Sequence, residues 1–338
     1  MEDLISVIVI TYNEEKTIGR TLDSILSQKC HLPFEIVIGE DCSTDNTRLI
    51  CEEYAAKYPD IIRLMDKTSN KGIIDNFYDC LLACRGKYIA DCDGDDFWVS
   101  TDKLERQLCI LEENEDVVLV HTDWVYYDEQ TKKTTTHRPQ PHTAPITDGH
   151  NMSEDIFTFT NGFVIHLCTA MFRAETFLEA YREDTFLFRN KNFACEDTQA
   201  CFALSRKGKI AFIPEVMMYY SSGKPSACRQ PDNKRQFRFI KRNTDMEVYI
   251  CQRYGIRSKK TDNHLRARMF ALFMFAFRDE SIEMRDEARM MRKEWRVKPS
   301  FRIFLVDIIT SYRPLWKTAL LMRKAWAKRN NKSVINAT

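Results

Sequence analysis

The sequence predicts an α/β fold, in which a mostly parallel central sheet is flanked by helices and followed by a C-terminal helical extension. Two observations predict it. Apolar, β-branched runs alternate with segments of helical periodicity through the first 120 residues, and helical character prevails beyond about Arg235. Strands alternating with helices of this length are typical of a parallel sheet covered on both faces. The 338 residues, 44% of them hydrophobic, suffice for one large domain with additions or for two domains.

Each element of the first part follows from its pattern. Five strands are predicted, at residues 6–10, 34–39, 61–65, 87–90 and 117–121. Apolar residues at helical spacing predict helices between the first four, around residues 18–26, 49–54 and 73–82. A polar segment at about residues 132–151 predicts a long loop or hairpin, and a strand near 163–172 and a helix at 196–207 follow. Sheets of this type bind ligands at the carboxyl ends of their strands.

The net charge of +1 hides an asymmetry. Residues 1–230 carry 24 Lys and Arg against 38 Asp and Glu, a net charge of −14, whereas residues 231–338 carry 26 against 11, a net charge of +15. We therefore predict an acidic first domain over residues 1–230 and a basic helical extension over residues 231–338. No nucleic-acid recognition motif accompanies the basic residues, so a nucleic-acid partner is not expected.

Two stretches of the basic extension are apolar, with basic and aromatic residues interspersed, at residues 264–277 and 301–322. This pattern is typical of helices that bind a membrane surface, and equally of a helical subdomain that packs its apolar faces together. The N-terminus lacks a basic segment and a cleavage site, so no signal peptide is expected. No uncharged run reaches the roughly 18 residues of a spanning helix. The twelve cysteines contain no CxxC pair and suggest a reducing compartment. We expect a cytoplasmic protein with peripheral membrane contact.

Four carboxylates lie within six residues where the fourth strand ends, at Asp91, Asp93, Asp95 and Asp96. Carboxylates this close repel one another unless a cation lies among them. Oxygen ligands suit Mg²⁺ or Mn²⁺, and Mg²⁺ is commonly held by one or two carboxylates plus substrate phosphates. An EF-hand loop is disfavoured because Asp96 replaces its glycine and Asp102 its final glutamate. A solvated acidic turn is the other alternative.

Polar residues also follow the first two strands. Tyr12, between Thr11 and Glu14, would either pack in the core or stack on a base, and we expect Asn13 to cap the next helix. Asp41 follows the second strand, where its carboxylate could accept an N–H of a nucleobase. Ser, Thr and Asp residues before a helix are also ordinary N-caps, so both interpretations stay open.

A third acidic segment, Glu196-Asp197, opens the helix predicted at residues 196–207. Acidic residues in a first turn are favoured by the helix dipole. A general base would lie equally well there, on a rigid element.

Taken in order, these features resemble glycosyltransferase family 2, whose members have the GT-A fold. The resemblance extends over roughly residues 4–225 and is carried by five segments: SVIVITYNE, IGEDCSTDNT, NKGIIDNF, YIADCDGDD and ACEDTQACFALSRKG. The family commonly has proline where this chain has Ile10 and glycine where it has Cys42. Both differences lie beside the expected nucleotide pocket.

The resemblance implies roles for individual residues on the donor side. Thr11 and Tyr12 would contact the base, together with Glu14 nearby. Asp41 would pair with the uracil N–H, and Lys71 would lie near the nucleotide.

The resemblance also implies a metal site and a base. Asp95 would be the main metal ligand, with Asp93 beside it at the ribose or the metal, and Asp197 would be the catalytic base. Three residues are expected at the acceptor side, namely Trp98, His166 and Glu196. Ser226, in the loop at residues 223–229, would belong to a lid over the donor.

The implied activity is transfer of a sugar from a nucleotide diphosphate, expected to be a UDP-sugar, to a hydroxyl of a glycan or a lipid-linked acceptor. It would need Mg²⁺ or Mn²⁺, invert the anomeric carbon and serve polysaccharide biosynthesis. A divalent ion would stabilise charge on the leaving diphosphate, and a carboxylate would take the acceptor's proton.

Other functions fit less well. A sugar nucleotidyltransferase would need a glycine-rich loop after the first strand, where residues 11–20 contain only Gly19. A nicotinamide dehydrogenase is excluded because no GxGxxG motif follows an early strand. A nucleotide- or carbohydrate-binding protein without catalysis stays open, although the presence of both Asp95 and Asp197 argues against it.

Overall fold

The structure is a computed structural model that describes residues 1–66, 69–137, 145–159, 164–222 and 232–335. The chain forms two compact units. One comprises Met1–Lys191 with Cys195–Lys224, and the other Asn192–Ala194 with Pro225–Thr338. The first unit contains the sheet and the second is helical; the predicted division after residue 230 remains a prediction.

Ten strands in the described residues form one mixed sheet. Six run in the same direction: β1 (Glu2–Thr11), β2 (Phe34–Glu40), β3 (Ile62–Leu64), β4 (Gly86–Asp91), β6 (Val117–Asp128) and β10 (Lys209–Ser222). Four run the opposite way: β5 (Phe97–Trp98), β7 (Thr134–Thr136), β8 (Ile146–Asp148) and β9 (Ala170–Arg173). The order is β3-β2-β1-β4-β9-β6-β10-β5, with β7 on β6 and β8 on β10. The predicted α/β class is confirmed.

The helices of the first unit cover the sheet and bury its apolar runs. They are α1 (Ile18–Leu26), α2 (Thr47–Lys57), α3 (Ile73–Ala83), α4 (Lys103–Glu113), α5 (Gly149–Thr158), α6 (Ala174–Glu183), α7 (Thr185–Arg189) and α8 (Asp197–Ser205). Val7 and Val9 on one face of β1 and Ile8 on the other are all inaccessible to solvent. A strand buried on both faces is continuously apolar, which is why the period-two signal is absent there.

The structure refines two predicted elements and adds a strand that was not predicted. The strand expected near residues 163–172 begins only at β9, because a 3₁₀ turn, Leu167–Thr169, precedes it; residue 163 lies outside the described residues. The loop or hairpin expected at residues 132–151 contains β7, which pairs with β6 as an antiparallel hairpin, and β8, and α5 already begins at Gly149. β10 was not expected, because Pro214 lies within it. Its pairing with β6 shifts register between Ile213 and Val216, and such an irregularity accommodates a proline.

The second unit is helical, as predicted, with α9 (Asn233–Arg253), α10 (Lys259–Arg278), α11 (Ile282–Glu294), α12 (Phe301–Ser311) and α13 (Arg313–Ile335). Its core is built around Met269, Leu272 and Phe273 of α10, which are fully buried. Buried Glu247 accepts hydrogen bonds from Arg268, at 2.6 Å, which pairs α9 with α10. Among the described residues, no helix combines the length and the apolar character needed to cross a bilayer.

Candidate active site

The carboxyl ends of β1, β2 and β4 lie side by side. Thr11 at the end of β1 pairs with Glu40 at the end of β2, and Ile8 pairs with Asp91 at the end of β4. The chain leaves all three strands at the same edge of the sheet. The polar segments that follow them are therefore brought together there.

The segment after β4 folds tightly against the end of β1. The Gly94 N–H donates to the Ile10 carbonyl at 2.9 Å. A Cβ atom at position 94 would lie 2.3 Å from Oε2 of Glu14 and 2.6 Å from Cβ of Thr11. Only glycine permits this approach, which brings the acidic loop beside Thr11 and Glu14.

Asp91, Asp93 and Cys168 form a compact, largely buried group. One oxygen of each carboxylate and the Cys168 sulfur all lie within 4.8 Å of one another, and the thiol is 3.3 Å from Oδ2 of Asp93. Oδ1 of Asp91 and Oδ1 of Asp93 are buried, and neither has a hydrogen-bond partner among the described residues. Buried carboxylates without donors are unfavourable unless a proton or a cation neutralises them.

The electrostatics link this group to the start of α8. Burial, followed by the negative charges of Asp197 and Asp95, raises the pKa of Asp93 to about 8. Burial and the neighbouring carboxylates, with Asp93 the largest contributor among them, raise the pKa of Asp91 well above its usual range. The pKa of Glu196 is raised in the same way by burial, Asp197 and Asp93. These residues therefore form one acidic cluster that would gain stability from a divalent cation.

Asp95 and Asp96 are placed differently from each other. Asp95 is partly exposed and lies outside the three-residue group, and its carbonyl accepts from Nη2 of Arg20 at 3.0 Å. Asp96 is buried, and its Oδ1 accepts the Ser221 N–H at 2.8 Å, so this carboxylate joins the loop to β10. Of the two predicted metal ligands, Asp93 belongs to the buried group and Asp95 borders it.

Asp197 and Glu196 present their carboxylates in different environments. Asp197 begins α8, its side chain is 27% exposed, and its Oδ2 lies 3.7 Å from Nδ1 of His166. Glu196 is buried, with Oε2 unpartnered among the described residues, and its carbonyl accepts from the Tyr78 hydroxyl at 3.3 Å. Asp197 is therefore the carboxylate that a substrate hydroxyl can reach more readily.

Where the nucleotide is expected, backbone N–H groups hold the carboxylate of Asp41. Its Oδ1 accepts the Lys71 N–H at 2.9 Å and its Oδ2 the Gly72 N–H at 2.8 Å, which fixes the carboxylate plane. The Lys71 ammonium lies 2.7 Å from Oδ2 of Asp79. Tyr12 is 47% exposed, as a ring that stacks on a base would need to be.

Asn13 does not cap α1, contrary to the prediction. The residue before α1 is Thr17, and the Asn13 side chain instead accepts the Thr44 N–H at 2.8 Å. Asn13 has a φ of 57°, a left-handed conformation that asparagine tolerates better than most residues. It therefore ties the loop after β1 to the loop after β2.

Trp98 lies beneath the site. Its ring is 4% exposed, its indole N–H donates to the Cys168 carbonyl at 3.1 Å, and the ammonium of buried Lys103 lies 4.2 Å from its ring centre. Gln107 accepts from Lys103 and donates to the Thr169 carbonyl at 2.9 Å. In this structure Trp98 supports the turn that carries Cys168; its expected acceptor role stays a prediction.

His166 lies within a group of aromatic rings. Its ring centre is 4.7 Å from that of Trp124 and 4.7 Å from that of Tyr220. Of these residues, His166 lies next to Asp197. Ser226 and the predicted lid at residues 223–229 lie outside the described residues.

Sequence reasoning missed Arg20. Its guanidinium lies 2.6 Å from Oε1 of Glu129, 3.2 Å from Oγ of Ser221 and 3.9 Å from the Phe97 ring centre, besides its bond to the Asp95 carbonyl. An arginine on a helix face gives no signal of such distant partners.

Comparison with known proteins identifies a protein family whose model matches this chain. The family model for "Glycosyl transferase family 2" matches residues 6–179. The putative glycosyltransferase EpsE of Bacillus subtilis is 38% identical over 125 residues, covering 37% of this chain and 44% of EpsE. The Escherichia coli protein WfgD, a UDP-Glc:alpha-D-GlcNAc-diphosphoundecaprenol beta-1,3-glucosyltransferase, is 33% identical over 115 residues, covering 34% of this chain and 44% of WfgD. The chain thus spans less than half the length of these relatives.

Solved structures share the fold. TarS residues 1–349 of S. aureus, in complex with UDP-GlcNAc, superposes with a TM-score of 0.56 at 19% identity, covering 86% of this chain and 78% of TarS. The mannosyltransferase PcManGT from Pyrobaculum calidifontis, in complex with GDP-Man and Mn²⁺, gives a TM-score of 0.50 at 18% identity, covering 95% and 84%. At this identity the similarity concerns the fold alone.

Proposed function

Because this chain belongs to glycosyl transferase family 2, we propose that it transfers a sugar from a nucleotide diphosphate to a hydroxyl acceptor. One observation carries the proposal: the buried carboxylates after β4 and the first residue of α8 belong to a single acidic cluster. A metal-bound diphosphate and a general base need this proximity. The acceptor hydroxyl gives its proton to the base as its oxygen attacks the anomeric carbon, and the bond from that carbon to the diphosphate breaks in the same step.

We propose a UDP-sugar as donor. Asp41 supports this choice, because two backbone N–H groups fix the plane of a carboxylate that could accept a uracil N–H. Tyr12 and Thr11 would contact the base, and Glu14 and Lys71 would lie close by. TarS, which shares the fold, was solved in complex with a UDP-sugar, UDP-GlcNAc.

Asp93 and Asp95 would hold Mg²⁺ or Mn²⁺, with Asp91 and Cys168 as further candidates beside Asp93. The residues fit the ion, since the carboxylates of Asp91 and Asp93 lie close together, each with a buried Oδ1 that has no hydrogen-bond partner among the described residues. When bound, the ion would neutralise charge that develops on the leaving diphosphate.

Asp197 would act as the base. Its accessible carboxylate could take the acceptor's proton while the hydroxyl oxygen attacks the anomeric carbon, and Nδ1 of His166 lies 3.7 Å from Oδ2 of that carboxylate. A single displacement inverts the anomeric centre and needs no carboxylate nucleophile. The aromatic rings of Trp124 and Tyr220 would lie beside the acceptor. Buried Glu196 would lie next to the base, on the side away from solvent.

We propose a glycan or a lipid-linked sugar as acceptor, in polysaccharide biosynthesis. The activity of WfgD, a glucosyltransferase whose acceptor is a GlcNAc-diphosphoundecaprenol, supports this class. Such acceptors lie at membranes. The basic helices of the second unit would provide a peripheral contact.

The helices α12 and α13 support that contact. Phe301, Phe304, Leu305 and Ile308 are exposed and follow the i, i+3, i+4, i+7 spacing of one helix face. Residues 296–323 carry six Lys and Arg against one Asp, a net charge of +5. An apolar face beside basic residues is typical of helices that insert into an anionic membrane surface.

A donor panel tests the proposed activity. Thermal unfolding of the full chain is followed with UDP-, GDP- and dTDP-sugars, with and without Mn²⁺, and release of nucleotide diphosphate is then measured for donors that bind. We expect the melting temperature to rise with one UDP-sugar in the presence of Mn²⁺, and UDP to be released slowly. A chain that binds no nucleotide sugar under any of these conditions would not be a glycosyltransferase of the proposed kind.

A further inference from the structure

A second group of metal-ligating side chains lies between α1 and α4. Cys30 and His31 belong to the loop after α1, and Glu105 and Cys109 lie one turn apart on α4. One ligand atom each of Cys30, His31 and Glu105 all fall within 4.8 Å of one another, and the Cys109 sulfur is 3.8 Å from Oε1 of Glu105. Two thiols, an imidazole and a carboxylate therefore converge.

The two elements that carry this group are fixed relative to each other. The Gln28 side chain donates to the Ser100 carbonyl at 2.7 Å and accepts the Leu104 N–H at 3.1 Å, and the Lys29 N–H donates to the Thr101 carbonyl at 2.8 Å. The loop is thus held by its backbone immediately before Cys30. A site on two rigid elements is preorganised for a ligand.

The surroundings of His31 match those of a metal-bound imidazole. Its Nδ1 is 2.9 Å from Oε2 of Glu105, and its Nε2 is 3.4 Å from Oε2 of Glu112. Metal-bound histidines usually donate their other ring N–H to a carboxylate, which fixes the tautomer and the ring orientation. Glu112 would supply that carboxylate.

We infer that Cys30, His31, Glu105 and Cys109 form a zinc site that joins the loop after α1 to α4. Thiolate and imidazole ligands favour Zn²⁺ over Mg²⁺ or Ca²⁺, and four such ligands fit its tetrahedral geometry. Zinc bonds of about 2.0–2.3 Å place ligand atoms roughly 3.5 Å apart. The ligand atoms of Cys30, His31 and Glu105 would therefore draw closer around the ion, and Cys109, which contacts Glu105, would be the fourth ligand. The site is distinct from the acidic cluster after β4, whose ligands are mainly oxygen.

Zinc binding should depend on pH. Zinc binds cysteine as the thiolate, so the ion must displace the thiol protons, and its affinity should fall as the pH falls.

Cobalt titration of the full-length protein tests the site. The reduced protein is stripped with a chelator and titrated with Co²⁺, which takes the place of Zn²⁺. We expect thiolate-to-cobalt charge-transfer absorption that saturates at one equivalent and disappears when Zn²⁺ is added. Cys30→Ser and Cys109→Ser should each weaken the absorption, and Glu112→Gln should lower zinc affinity by about 10–100-fold. Zinc should raise the melting temperature of the wild type and not that of the two cysteine variants.

Matched controls separate this site from the acidic cluster. Cys84→Ser, a partly buried thiol elsewhere in the unit, and Cys168→Ser should both retain the cobalt spectrum. Circular dichroism in chelator verifies that each variant folds. Absence of thiolate bands at one equivalent, or bands that persist in both Cys30→Ser and Cys109→Ser, would overturn the zinc site, as would loss of the bands in Cys168→Ser. No measurement uses sugar transfer, so the outcome is independent of the proposed activity.

Discussion

Nδ1 of His166 lies 3.7 Å from Oδ2 of Asp197, which joins the turn before β9 to the first turn of α8. The two residues are 31 positions apart in the sequence. Asp197, the more exposed of the two acidic residues at the start of α8, therefore lies beside His166, which belongs to a group of aromatic rings. This arrangement distinguishes Asp197 from its neighbour Glu196, which is buried.

Replacing Asp197 by asparagine should abolish sugar transfer while leaving donor binding almost unchanged. The amide keeps the size of the side chain but cannot accept a proton, so kcat should fall by about 10²–10⁴-fold or more. Turnover and donor Kd are measured on the same preparation. Glu196→Gln is the matched control: if it lost turnover and Asp197→Asn kept it, the base would be Glu196.

Asp95→Asn should remove the metal dependence of UDP binding without unfolding the protein. The reason is the repulsion among the carboxylates, which a divalent ion relieves. Calorimetric titration of UDP with and without Mn²⁺ measures the effect, and Asp93→Asn is examined in parallel. If only Asp93→Asn lost the metal dependence, the ion would be held by the buried group, and Asp95 would not be a ligand.

The Arg20–Glu129 pair should stabilise the fold at neutral pH and cease to do so in acid. Burial raises the pKa of Glu129, but hydrogen bonds from Arg20, Lys132 and Ser221 outweigh it and lower the pKa from 4.5 to about 2. A lowered carboxyl pKa contributes stability above pH 4.5 that is lost as the pH falls towards 2. Glu129→Gln should therefore lower the free energy of unfolding by on the order of 2–3 kcal/mol at pH 7.

Urea denaturation at pH 7, 5 and 3 measures this difference. It should be similar at pH 7 and 5 and much smaller at pH 3. A difference that stayed constant down to pH 3 would mean that Glu129 contributes through packing rather than through its charge.

Buried Lys103 should destabilise the folded protein most at neutral and acidic pH. Burial lowers its pKa from 10.5 to about 7, against the smaller opposing influence of Cys92, Cys168 and Asp91. Between pH 7 and 10.5 the unfolded chain binds the proton and the folded chain does not, so stability should rise with pH across that window.

Lys103→Met should remove this rise. The substitution also leaves the Gln107 side chain without its donor, a cost that does not depend on pH. The informative quantity is therefore the change in stability difference between pH 7 and 10, measured by denaturant unfolding, with exposed Lys133→Met as control. Equal differences at both pH values would show that Lys103 is not neutral in the folded state.

The exposed face of α12 should bind anionic membranes. Phe301→Ser, Phe304→Ser and Leu305→Ser together remove three of its four exposed apolar side chains and should abolish flotation with anionic liposomes. Wild-type binding should need anionic lipid and weaken as salt rises. Met290→Ser, an exposed apolar residue on α11, is the control. Equal flotation of the triple variant and the wild type would argue that this face has another role.

Much of the fold could be predicted because its elements have local signals. The apolar runs of β1 to β4 and the helical spacing between them appear directly in the sequence, and the five-segment resemblance predicted the family that the comparisons confirm. β5 has two residues and β10 contains Pro214, so neither has a pattern that local reasoning can detect. Their places depend on pairing with strands far away in the chain.

The candidate site likewise has one part that the sequence predicts and another that it does not. The carboxylates after β4 are a local cluster, so their chemistry could be predicted from adjacent residues. Cys168 lies 3.3 Å from Asp93 but 75 positions away, and Arg20 lies 109 positions from Glu129. Long-range contacts of this kind follow from the sheet order, which periodicity does not determine.

Arg20 ties α1 to the Asp95 carbonyl, to Glu129 beyond β6 and to Ser221 on β10. Four segments that are distant in the chain are thereby immobilised around one planar cation. The conformational entropy of these four segments is lost when the protein folds, before a nucleotide sugar binds. A nucleotide sugar that binds beside them would not have to order them, so more of the free energy of its contacts would remain as affinity.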